Sequence, residues 1–276
     1  MLLHAPAKLN LCLYLGPTRP DGLHELCSLF EPLALADLVR VSEAEADEVL
    51  CPGVEGENLA ARALAALRER GWRRPPLRIE IEKRVPVAAG LGGGSADAAA
   101  VLRLAAGEVE DLPELAAGLG ADVPSQLRPA LALVRGAGER VEPLPGPAAH
   151  AAVLLPGGGG LSTAAVFAEA DRLGLGRPPE ELERLAAELR RVAGDGASPL
   201  SYPELLANDL EPAARSLRPS IGAALDALRG AGAPLALLSG SGPTAVGLFG
   251  DLGTARAAAA ATGRDDAIAC EAGGTP

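Results

Sequence analysis

Between Ala7 and Leu15 the chain alternates without a break, with Leu9, Leu11, Leu13 and Leu15 on one parity and Lys8, Asn10, Cys12 and Tyr14 on the other. A period of two predicts a β-strand whose faces differ. After a turn at Pro20, Asp21 and Gly22, residues 23–33 predict a partner strand carrying His24, and Val39 to Ser42 predicts a further short strand. Asn58 opens a helix in which Leu59, Ala63, Ala66 and Leu67 form one apolar stripe. Leu77, Ile79 and Ile81 then alternate with Arg78, Glu80 and Glu82 in a strand that feeds PVAAGLGGGSADAA, residues 86–99. Behind that stretch a helix is expected over 96–106, with Ser95 as its N-cap. A short helix over 112–119 follows, and Asp122, two residues before Pro124, reads as an N-cap aspartate. In the second half the pattern predicts strands at 151–156 and 235–249, the latter a pair turning at Gly240 and Gly242. It also predicts a helix capped by Ser162 or Thr163 and further helices near 179–192, 221–228 and 254–261. The last ten residues read as a loose tail.

The glycine-rich stretch carries the clearest chemistry. Gly90, Gly92, Gly93 and Gly94 lack a Cβ, so the backbone can take positive φ and present N–H groups to an anion, while the following helix points its positive end at the same place. The spacing fits neither a Walker A loop, which needs a lysine before Ser or Thr, nor the dinucleotide GxGxxG, which needs a third glycine where Ser95 stands. A protein-kinase glycine loop lies between two strands and is excluded by the helix. Lys8 and Asn10 share a face and either look into a cleft or mark a solvated edge. His24 is a lone histidine, and such residues are usually structural.

Composition narrows the classes. A chain of 276 residues suggests two domains, and the cluster Pro143, Pro145, Gly146 and Pro147 places a boundary after 147: an N-terminal domain over 1–147, a second over 148–266, and the tail from 267. A net charge of -11 argues against a nucleic-acid surface, so an anionic nucleotide must be held by local amides and a few placed cations. Cys12, Cys27, Cys51 and Cys270 make no zinc spacing, and neither a membrane span nor a signal peptide is visible; the expectation is a cytoplasmic protein without a membrane partner.

Three separated stretches, KLNL at 8–11, the glycine loop, and SGSGPTAVGLF at 239–249, together resemble the GHMP small-molecule kinases. PDGLH, GADVP, GGGLST and NDLEP resemble the branch of that family acting on 4-diphosphocytidyl-2-C-methyl-D-erythritol in non-mevalonate isoprenoid synthesis. The resemblance implies an α/β fold of two domains, the first with a left-handed βαβ crossover at the phosphate loop and the second ferredoxin-like. It implies ATP and Mg2+ as cofactors and phosphorylation of the 2-hydroxyl of that small-molecule substrate. Asp122 corresponds to the family's catalytic aspartate and Lys8 to its lysine. ATP would be held by Pro86, Val87, Ala88, Ala89, Gly90, Leu91, Gly92, Gly93, Gly94, Ser95 and Ala96, with Asn58 and Lys83 near the adenine. Asn10, His24, Thr163 and Phe167 would face the cytidine-bearing substrate. Leu23 stands where the family pattern has tyrosine, and Ala96 where it has a second serine.

Overall fold

The computed structural model describes residues 1–54 and 56–272. The alternating N-terminal segment is β1 (Leu2–Thr18), paired antiparallel along its length with β2 (His24–Glu43). The two short strands expected over 23–42 are thus one strand of 20 residues. Pro32, whose missing N–H suggests an end, instead sits opposite Lys8 beside a register shift between Pro6 and Lys8, where the ladder is already irregular. The chain continues through β3 (Glu48–Leu50), α1 (Leu59–Glu69), β4 (Leu77–Glu82), α2 (Gly93–Arg103), α3 (Leu112–Leu119), α4 (Val123–Gln126), β5 (Ala132–Gly136) and β6 (Arg140–Pro143). These strands build a sheet around β2, which pairs with β1, β4 and β5. Helices α1 and α2 cover it through Ala60, Ala63, Leu64, Leu67, Ala98, Val101 and Leu102. Small alanines on α2 let it lie close, in keeping with the helix propensity that predicted it.

The second half contributes β7 (His150–Leu155), α5 (Thr163–Leu173), α6 (Pro179–Ala193), α7 (Glu211–Leu217), α8 (Ser220–Gly230), β8 (Leu235–Leu238), β9 (Ala245–Phe249), α9 (Leu252–Ala261) and β10 (Ile268–Ala272). The loose tail expected from 267 is corrected by β10: Ile268 to Ala272 pair in register with Leu154 to His150, and Ala272 also pairs with Leu33 on β2. Residues 273–276 lie outside the described residues. The strand order β3-β4-β2-β10-β7-β9-β8 is therefore continuous across the midpoint of the chain. The largest core cluster also crosses it, since Leu182, Leu185 and Leu189 of α6 pack with Leu9, Leu11 and Leu29. Among the described residues no helix is long and apolar enough to cross a membrane.

Candidate active site

β4 delivers the chain to the glycine loop, where Ala88, Gly90 and Gly92 take φ of 54°, 78° and 68°. Gly93 and Gly94 do not; they are the first residues of α2, and Gly92 occupies the N-cap position with no side chain capping the helix. This corrects the expected cap at Ser95. An uncapped first turn has N–H groups to spare, which is what an anion requires. A cavity of about 460 Å³ opens there, lined by Pro86 to Ser95 without a gap and by Cys51, Asn58, Lys83, Asp97 and Thr163. Ala96 is the exception among the expected ATP residues: its side chain is buried in the core and its N–H donates to Gly92 O at 2.9 Å. Asn58 lines the cavity while its Oδ1 accepts Ala60 N–H to cap α1. Lys83 also lines it, but its ammonium is engaged by the buried carboxylates of Asp37 and Asp97.

A second cavity of about 230 Å³ adjoins the first, sharing Gly90, Ser95 and Thr163 in its walls and adding Lys8, Asn10, Phe30, Asp122, Phe167 and Ser241. Lys8 is 5 % exposed, which disposes of the solvated-edge alternative. Its Nζ lies 2.5 Å from Asn10 Oδ1 and 3.3 Å from Asp122 Oδ2, and 4.5 Å over the Phe30 ring. Gly92 makes room for this: a Cβ there would stand 2.8 Å from Lys8 Cγ. Asp122 holds the N-cap position of α4 yet makes no capping bond, so the cap reading is corrected; its carboxylate faces the lysine instead. Asn10 Nδ2 donates to Ser28 Oγ, so this side chain is committed to fixing Lys8 on the strand pair. Phe167, on α5, lines the cavity half-buried, with the His24 ring 5.1 Å away and tilted by 39°. His24 itself is absent from the lining and is held by Asp171 Oδ1 at 2.8 Å. Leu23 is exposed and lines neither cavity.

Sequence reasoning missed the turn between β8 and β9 as part of the site. Ser239 Oγ donates to Gly90 O, a Cβ on Gly90 would meet Ser239 O at 2.7 Å, and Ser241 Oγ lies 2.9 Å from Thr163 Oγ1. Its motif was visible, but nothing local says which loop it docks on. Phe30 was missed as well, lying inside ordinary strand pattern, and so was Asp37, which lies between the two expected strands and engages Lys83 without lining either cavity.

Residues 58–127 match the GHMP kinases N terminal domain and residues 202–265 the GHMP kinases C terminal domain. The 4-diphosphocytidyl-2-C-methyl-D-erythritol kinase of Kineococcus radiotolerans is 41% identical over 261 residues, covering 87% of this chain and 78% of its own. That of Anaeromyxobacter dehalogenans is 42% identical, covering 93% and 83%. A crystal structure of 4-(cytidine 5'-diphospho)-2C-methyl-D-erythritol kinase superposes with a TM-score of 0.81 at 37% identity over 100% of both chains. The chain belongs to this kinase family. Its fold is the GHMP kinase fold, and as a member of that family it is an ATP-dependent kinase. A homoserine kinase from Cytophaga hutchinsonii, with a TM-score of 0.70 at 18% identity over 98% of this chain and 93% of its own, shares the fold.

Proposed function

We propose that this kinase transfers the γ-phosphoryl group of ATP to the 2-hydroxyl of 4-(cytidine 5'-diphospho)-2-C-methyl-D-erythritol, a step of non-mevalonate isoprenoid precursor synthesis. The observation that carries the reading is the Lys8–Asp122 pair standing in the acceptor cavity where its wall is common with the glycine-loop cavity. The loop amides and the uncapped first turn of α2 take the phosphates. Asp122 accepts the hydroxyl proton as the phosphoryl group arrives, and the Lys8 ammonium faces the charge on the transferring oxygens. Asn10 and Phe30 keep Lys8 in place. Phe167 offers its ring face to the cytosine, with His24 behind it as support. When bound with ATP, Mg2+ would neutralise part of the charge on the phosphates.

The test is a mass measurement. Purified protein with ATP and Mg2+ is offered the cytidine substrate, mevalonate and homoserine; the expected result is a phosphorylated product from the first only. Product from another alcohol, with none from the cytidine compound, would overturn the substrate assignment and leave the phosphoryl-transfer assignment standing.

A further inference from the structure

Behind the glycine loop lies a buried ionic cluster to which the reaction gives no task. Asp37 on β2 is 0% exposed. Its Oδ1 accepts the backbone N–H groups of Arg84 at 2.6 Å and Val85 at 2.8 Å, and its Oδ2 accepts from Lys83 Nζ. One side chain thus ties down three consecutive residues, the stretch of chain immediately before the cradle begins at Pro86. Lys83 carries the tie onward by donating to Asp97 Oδ2 on α2 at 2.8 Å. The first residue of that helix rests on the same group: a Cβ on Gly93 would stand 3.1 Å from Val85 Cγ1 and 3.2 Å from Lys83 Nζ. Both ends of the loop therefore sit on one strut, and a shift of residues 83–85 has to reach the helix terminus that offers its N–H groups to phosphate.

We propose that Asp37 is a positioning residue for the nucleotide, holding the loop through residues 83–85, and that Lys83 serves ATP as part of this strut and not as a phosphate or base ligand. The inference rests on the reading of Pro86 to Ser95 as the ATP loop. Two of the three N–H donors of Lys83 are committed to carboxylates. Asp37 lines neither cavity, so its removal takes no direct contact away from either substrate.

The test measures kcat, both KM values and Tm for Asp37→Asn, Lys83→Met and the double variant. Asparagine keeps the shape but turns an N–H donor toward one of the three donors that the carboxylate satisfied. The expected result is a rise of about tenfold or more in KM for ATP, with KM for the acceptor within about twofold, and a double variant no worse than the worse single one. A lowered Tm with both KM values unchanged would reduce Asp37 to a purely structural residue. Additive losses would return Lys83 to direct contact with ATP. If Asp37→Asn does not yield folded protein, Asp37→Glu keeps the charge and lengthens the strut by one methylene, and the same KM split is expected. Gly93→Val separates the two readings: the substituent has no room against Val85 and Lys83, so ATP binding by calorimetry should be lost. Survival of ATP binding there refutes the loop reading itself. Its loss, beside an unaffected Asp37→Asn, refutes the strut alone.

Discussion

Replacing Asp97 by asparagine should make the protein more stable at neutral pH, an unusual outcome for a buried ion-pair residue. Asp37 and Asp97 face a single ammonium, Lys83. Asp37 has two backbone N–H groups besides, whereas Asp97 has only the lysine, and its Oδ1 is buried with no partner. Burial, opposed only in part by Lys83, raises the Asp97 carboxyl from its ordinary 3.8 to about 6. Below about pH 4 the folded and unfolded states both hold this proton. Between about 4 and 6 the folded state keeps a proton that the unfolded chain has released, so stability falls as pH rises; above 6 the loss is complete and constant. A gap of roughly two pH units at about 1.4 kcal/mol each puts the loss on the order of 3 kcal/mol. The substituted amide would mimic the protonated acid, with its oxygen still able to accept from Lys83. Urea unfolding of both proteins from pH 4 to pH 8 should show a difference near zero at pH 4 that grows to about 3 kcal/mol in favour of the variant by pH 7. A variant less stable than the parent at pH 7 would show that the Lys83–Asp97 pair outweighs the burial of the second carboxylate.

Three further predictions concern the acceptor side. Asp122→Asn should lower kcat by about two to four decades with ATP affinity nearly kept, and Lys8→Ala should act in similar measure, the double variant being less than additive; near-normal turnover in Asp122→Asn would remove the base assignment. Phe167→Ala should raise KM for the cytidine substrate by about 5- to 150-fold, the worth of stacking one base, without moving KM for ATP; unchanged KM values in a folded variant would end the stacking assignment. Gly92→Ala puts a methyl 2.8 Å from Lys8 Cγ at a φ of 68°, so kcat should fall at least about tenfold through displacement of the lysine, and retained kcat would show that Lys8 need not sit where it does.

Local rules carried the reading wherever one residue's neighbours in sequence decide its state. The alternation from Lys8 to Leu15, the Asn58 cap and the helix after the glycines were legible for that reason. Ser95 failed as a cap because the backbone turned three residues earlier, at Gly92, where positive φ and the passage of the Lys8 side chain left no place for a Cβ. Asp122 looked like a cap by spacing, and only the distant Lys8 shows what its carboxylate does. Asp37 was invisible, an acid inside an apolar strand, because its three partners are 46 to 48 residues away. Likewise β10 is short and has no alternation of its own; its state is set by β7, more than a hundred residues upstream.

That late strand imposes an order on the making of the protein. The five residues of β10 pair with β7 of the second half, and the last of them, Ala272, carries the ladder on to Leu33 on β2 of the first. A ribosome emits them after every other strand of the sheet, when β1 to β9 are already outside or nearly so, and until then the edges of β7 and β2 that will receive them stand unpaired. Each half can collapse during synthesis, but the sheet that spans both is sealed only when β10 has emerged. A stop codon just ahead of Ile268 would therefore leave Lys8, Asp122 and the glycine loop encoded but the sheet unsealed between β7 and β2, with the packing of α6 and a few loop contacts joining the halves. Slow translation over the same stretch would lengthen the time for which those edges are offered to other chains.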